Sequence, residues 1–118
     1  MTIDQSLVLK EAQSIAATAH TDGIEVGAGK LESKPAFVRG LVTTAGTGTG
    51  TCSIVASGSN DDSTYVKIAT GAAKVGTTFV KGDIIKVPIP PNEYKYLRGE
   101  VVITGTIAGT IFMDVELG

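Results

Sequence analysis

The side chains best able to move a proton, attack a carbonyl or hold a metal ion are scarce in this chain. His20 is the only histidine and Cys52 the only cysteine, so a thiol–imidazole dyad is the one nucleophilic pair they could form. No motif for it surrounds either residue. His20 ends a Thr- and Ala-rich stretch beside Asp22, the setting of a surface histidine, while Cys52 alternates with small residues, the setting of a small core side chain. One cysteine excludes an intramolecular disulfide and supplies no metal-ligand spacing. Asp61 and Asp62 invite comparison with a calcium loop. That loop needs acids at alternate positions closed by a downstream glutamate, and Gly58 to Ser63 reads as a polar turn instead. The run Thr44-Ala45-Gly46-Thr47-Gly48-Thr49-Gly50 looks like a phosphate-binding loop but lacks its G-x-G-x-x-G spacing, a closing Lys-Ser/Thr and a following helical pattern. A flexible hairpin tip is the better reading. These residues predict no catalytic group, no cofactor and no metal site.

What remains is the chemistry of contact. Tyr96, Arg98 and Glu100 stand at alternate positions and fall on one face of a strand. As a solvated face, their same-strand ion pair is worth only ~0 to 1 kcal/mol; as a contact face for another subunit, Tyr and Arg are the favoured residue types. Phe112 adds weight to the second reading, because it is the one large apolar side chain on the face that it shares with Asp114 and Glu116.

The elements that must position these side chains are strands. The apolar run Ile84, Ile85, Val87, Ile89 is interrupted by Pro88, Pro90 and Pro91, and after a polar turn at Asn92 and Glu93 a new strand begins. Proline lacks a ladder donor, so this stretch belongs at a sheet edge or a crossover. From Leu97 onward, Leu97, Val101 and Ile103 point one way and Arg98, Glu100 and Thr104 the other, the period of a half-buried strand. The last strand, Thr110 to Leu117, repeats the pattern with Ile111, Met113, Val115 and Leu117 on one face. Upstream, short strands are expected at Ile24 to Val26, Thr51 to Ser57, Tyr65 to Ala69 and Thr77 to Val80. Phe37 to Val42 is apolar on both faces apart from Arg39, as in a strand within a sandwich or against a partner. Turn signals every 8 to 12 residues suggest an all-β sandwich or barrel.

Composition agrees with that class. A chain of 118 residues with 5% aromatic residues, no Trp and 15 Gly is one domain of short strands and tight turns. A net charge of -2 and a pI near 5.3 disfavour a nucleic-acid partner, which requires a basic surface. No basic region precedes an apolar one at the start, and no apolar run approaches the ~18 residues of a membrane span. Cytoplasmic synthesis without export is therefore expected, with no membrane partner.

Residues 1–22 form an N-terminal arm and first strand, and residues 23–118 the body. Leu7, Leu9, Ala12, Ile15, Ala16 and Ala19 allow a helix capped by Asp4 or Ser6; alternation from Gln13 to His20 allows a strand ending at Asp22-Gly23. A short arm or helical turn to about Glu11, followed by a strand, is preferred. A domain this small with few aromatics gains little from its own core, so Ile3, Leu7, Val8 and Leu9 are expected to dock onto a neighbouring copy. A homodimer or homotrimer follows.

The chain resembles the small capsid cement (decoration) proteins of tailed bacteriophages, of the type found on the head of a short-tailed Bordetella phage. The resemblance begins with Leu9-x-x-Ala12-Gln13-x-Ile15-x-Ala17-Thr18-Ala19. It resumes at Val87-Pro88-Ile89-Pro90, continues through Lys95-Tyr96-Leu97-Arg98, and ends with the apolar C-terminal strand; the Asn60-Asp61-Asp62 turn is similar too. It implies a jelly-roll-like antiparallel β-sandwich that forms a homo-oligomer on the outside of an icosahedral virion and bridges subunits of the major capsid protein. The alternative is a host- or carbohydrate-binding β-sandwich module of a virion. Absence of Trp and a count of three Tyr equip the chain poorly for carbohydrate.

Overall fold

The computed structural model of the chain describes residues 8–25, 36–90 and 94–117. These form ten antiparallel strands in two sheets: β1 (Val8–Ser14), β2 (Ala19–His20), β3 (Ile24–Glu25), β4 (Ala36–Thr47), β5 (Thr51–Ser59), β6 (Val66–Thr70), β7 (Lys74–Val75), β8 (Ile84–Ile89), β9 (Tyr96–Thr104) and β10 (Ala108–Leu117). The first sheet has the order β1-β10-β4-β8; the second has the order β2-β9-β5-β6, with β3 also on β9 and β7 also on β5. The all-β class expected from the turn spacing is what the chain adopts, and among the described residues the only helical element is a short 3-10 turn, Gly76–Thr78.

Side-chain alternation explains the layering. Val38, Val42, Ile111, Met113 and Val115 from the first sheet meet Cys52, Ile54, Ala56, Leu97 and Val101 from the second in one core. Residues of the opposite phase face outward, since neighbouring side chains on a strand point to opposite sides of the sheet. The long strands β9 and β10 follow the alternation read from the sequence, and β8, with Pro88 in it, lies at an edge of its sheet.

The N-terminal reading needs correction. The described chain is already extended at Val8, and β1 pairs with β10 through two register shifts that make it an irregular edge strand. It is neither a helical turn to Glu11 nor a loose arm. At Ser14 the strand ends and the chain passes to the other sheet. There the Thr18 hydroxyl accepts from the Ile103 N–H at 2.9 Å and the Thr21 hydroxyl from the Gly99 N–H at 3.1 Å, so side chains serve where a continuous ladder stops. Leu9 belongs to the core at 6% exposure. Its side chain is committed to its own subunit, which corrects its assignment to a docking surface.

Two further expectations change. Thr77 to Val80 is not a strand: Thr77 and Thr78 belong to the 3-10 turn, and Phe79 just after it, which the sequence left unremarked, is buried at 1% exposure in the core. The glycine-rich tip between β4 and β5 is not loose. A Cβ on Gly46 would collide with the Gly76 carbonyl oxygen, one on Gly76 with the Thr47 carbonyl oxygen, and one on Gly48 with the Thr106 carbonyl oxygen. Backbone meets backbone there, and glycine is what permits it.

Candidate functional site

Cys52 and His20 lie on opposite faces of one sheet. Cys52 pairs in register with Ile103 on the core side, and His20 with Glu100 on the outer side. The thiol is buried, and loss of water around it pushes its pKa up to about 11, the opposite of what a nucleophilic thiol requires. His20 is exposed, its Nδ1 2.9 Å from its neighbour's carbonyl oxygen at Thr21. Asp61 organises its own turn: its carboxylate accepts from the N–H groups of Ser63 and Thr64, both at 2.9 Å, and from the Ser59 hydroxyl at 2.8 Å. Those bonds, the Thr64 and Ser63 amides first, hold its pKa below the ordinary carboxylate value. Among the described residues no cluster of three His, Cys, Asp or Glu side chains could hold a metal ion.

The outer face of the first sheet carries a groove of about 300 Å³ lined by Val8, Glu11, Arg39, Leu41, Ile84, Phe112 and Asp114. Register builds it: Leu41 lies between Phe112 on one side and Ile84 on the other, and Val8 lies opposite Asp114. Four adjacent strands each contribute an apolar side chain on the water side. Leu41 and Ile84 remain 37% and 57% exposed, and Val8 and Phe112 are half-buried. Beside this apolar floor, Arg39 donates through Nε and Nη2 to both oxygens of Asp114 at 2.9 and 2.5 Å, and through Nη1 to Glu116 at 2.9 Å. Lys86 reaches Glu116 at 3.1 Å. The hydrogen bond to Asp114 raises the Arg39 pKa further, so the cation is permanent and the rim is already satisfied within the subunit. The floor is what lacks a partner among the described residues.

The outer face of the second sheet carries Tyr96, Arg98 and Glu100, as their alternation predicts. Each is half-buried, while Leu97, Gly99 and Val101 between them are buried. The Arg98 guanidinium sits 4.1 Å from the centre of the Tyr65 ring, a cation–π geometry, and lies 3.9 Å from the Glu100 carboxylate. Glu100 also accepts from the Ser57 hydroxyl, and the Tyr65 hydroxyl donates to Asp62. Burial first, and then that carboxylate, keep the Tyr65 phenol protonated well above its ordinary range. Arg98 Nε is buried without a hydrogen-bond partner. The result is a preformed Tyr–Arg surface, the residue types that anchor protein interfaces.

The residues expected to make contacts are thus divided. Val8 and Phe112 share the groove on one face of the molecule; Tyr96 and Arg98 share the patch on the opposite face, across a body about 20 Å thick. Leu9 belongs to neither. Ile3 and Leu7 lie outside the described residues. Sequence reading missed Leu41, Ile84 and Tyr65. Leu41 and Ile84 carried a signal, apolar residues in the outward phase of their strands; Tyr65, brought over Arg98 by the β5–β6 connection, carried none. No known family model matches the chain, and no curated protein matches it.

Proposed function

We propose that this protein is a structural virion component, a capsid cement protein that binds the outside of an icosahedral phage head and bridges subunits of its major capsid protein. The observation that carries the reading is the pair of chemically distinct contact faces on opposite sides of one small body. A protein that bridges needs two surfaces, whereas an enzyme or a simple receptor-binding module needs one concave site. One face offers exposed apolar side chains over a satisfied ionic rim, and the other offers Tyr65, Tyr96 and Arg98. The resemblance in the Leu9 to Ala19 stretch, the Val87 to Pro90 stretch and the Lys95 to Arg98 stretch supplies the identity of the partner.

The jelly-roll form is part of the same proposal. The chain passes between the two sheets at most of its connections, and with β2 and β3 taken as one interrupted strand and β6 and β7 as another, it has eight positions. Their orders, first–eighth–third–sixth in one sheet and second–seventh–fourth–fifth in the other, support that form, in which two Greek keys are wound together. Many modest contacts repeated over a shell supply the avidity that single contacts lack.

The test is co-sedimentation with empty heads assembled from the major capsid protein of the same genome. The protein is expected to pellet with the heads, and a variant carrying Tyr96→Ser and Arg98→Ser is expected to stay in the supernatant while remaining folded. Binding to host-surface glycans with no affinity for heads would instead establish the receptor-binding alternative.

A further inference from the structure

We propose that Arg98 is a receptor for a carboxylate, and that the segment of a shell subunit meeting the Tyr–Arg face is acidic, with one carboxylate paired to Arg98 and a second drawn toward Lys67. The inference rests on the cement reading and names the chemistry of the partner at that face. Its first support is a contrast between the chain's two arginines. Arg39 spends Nε, Nη1 and Nη2 on Asp114 and Glu116. Arg98 makes no hydrogen bond to a described residue: its Nε is buried without a partner, and its Nη2 stands 3.9 Å from the Glu100 carboxylate, outside hydrogen-bonding range. The other Glu100 oxygen accepts from the Ser57 hydroxyl. With the side chain 20% exposed and Nε covered, the donors left open to water are those of Nη1 and Nη2. Arg98 is a permanent cation whose fork is unfilled.

The fork is also held still. The Tyr65 ring covers one face of the guanidinium at 4.1 Å, and stacking on the plane leaves the in-plane N–H groups free to donate. Tyr65 is fixed in turn at its hydroxyl, which donates to Asp62 and fills the space that a Cβ on Gly23 would take. Asp62 is the one non-glycine among the described residues with a positive φ, 59°. Backbone of that kind persists where its surroundings hold it, and here it carries the carboxylate that anchors Tyr65. Donors oriented before binding lose less freedom when their partner arrives.

Register adds a second cation. Ser57 pairs with Arg98 on one side and with Lys67 on the other, so the two cations share the outer face, about 10 Å apart across two strand spacings. Beyond β9 in the other direction, the exposed Glu25 pairs with Tyr96. Positive charge therefore lies toward β6 and negative charge toward β3, which orients an acidic segment with its carboxylates over Arg98 and Lys67. Glu100 selects the class of anion. At 3.9 Å from the guanidinium it opposes a phosphate dianion about twice as strongly as a monoanion, and a planar carboxylate matches the fork in shape.

Co-sedimentation with two kinds of empty head tests this: untreated heads, and heads whose carboxylates have been converted with a carbodiimide and ethylenediamine into aminoethyl amides, both checked as intact by light scattering. The unsubstituted protein is expected to bind treated heads far more weakly than untreated ones, and Arg98→Glu to reverse that order. Arg98→Lys, which keeps the charge and loses the fork, should bind untreated heads about ten-fold more weakly. Lys67→Ala should weaken binding less, and its effect should fade in salt. Circular dichroism checks that each variant is folded, and the comparison of treated with untreated heads needs no variant. Equal binding of the unsubstituted protein to both kinds of head, a folded Arg98→Glu that does not reverse the order, or undiminished binding by Arg98→Lys would each overturn the carboxylate pairing and leave the cement reading in place. Stronger competition by phosphate than by acetate at matched ionic strength would do the same. Uptake by neither kind of head would overturn the cement reading, and the shell partner with it.

Discussion

Cys52 shows how one residue's chemistry is set by its place in the fold. Its side chain faces the core between two sheets, and burial moves its pKa from 9.0 to about 11. The native protein should therefore resist a thiol-reactive disulfide reagent at pH 8 and react fully once unfolded. A folded-state pKa above the unfolded value also fixes the sign of a pH effect: the stabilising contribution is complete below pH 9 and is lost as the pH rises through about 11. Urea titrations across that window should show a shallower alkaline decline for Cys52→Ala, together with a loss of roughly 1 kcal/mol at neutral pH from the small cavity. Arg39 gives a second case. Its guanidinium compensates Asp114, whose side chain is 8% exposed, so Arg39→Ala strands a nearly buried carboxylate and is expected to cost roughly 1 to 3 kcal/mol in chemical denaturation. Replacing both members, Arg39→Leu with Asp114→Leu, should recover part of that loss. A double variant no more stable than Arg39→Ala would show that the pair itself, and not the stranded charge, sets the cost.

Among the elements, the strands that alternate over their whole length were legible in the sequence and the short or interrupted ones were not. Tyr96–Thr104 is buried at Leu97, Gly99 and Val101, and Ala108–Leu117 at Ile111, Met113 and Val115, so their core faces could be assigned before their partners were known. Pro88 placed β8 at an edge because a missing donor is a local fact. The first strand was ambiguous because Leu9 and Ile15, both core residues, stand in spacings that fit a helix as well as a strand with register shifts. Only pairing with β10 decides between them. The glycine-rich tip was misread as loose for a related reason: the carbonyl oxygens that exclude a side chain there come from Gly76 and Thr106, distant in sequence. Gly48 and Gly82 separate conformation from contact. Both have positive φ, +94° and +95°, but a Cβ on Gly82 meets nothing within 4 Å while one on Gly48 meets the Thr106 backbone. Gly82→Ala should cost about 1 kcal/mol from backbone strain alone, and Gly48→Ala clearly more. Equal midpoint shifts in denaturant for the two variants would contradict a packed tip.

Over the whole molecule, two sheets present two faces of unlike chemistry, and the proposed role depends on both being used. Phe112 and Tyr96 were expected to make contacts from their types and phases; that they face opposite ways was not legible, because sheet membership is set by which strands pair across the fold. This separation places the residues of one expected contact face on two opposite faces, as the proposed bridging requires. In the proposed role, each face would meet a different subunit of the shell. The most direct test is the thermal disruption of empty heads followed by light scattering, with and without saturating protein. Bridging predicts that bound protein raises the temperature at which heads fall apart, that Arg98→Ser lowers occupancy and removes the gain, and that Leu41→Glu binds but stabilises less because one of the two faces no longer makes its contact. Heads that take up the protein fully and disrupt at the same temperature as bare heads would contradict bridging, and heads that take up none would contradict the cement assignment itself.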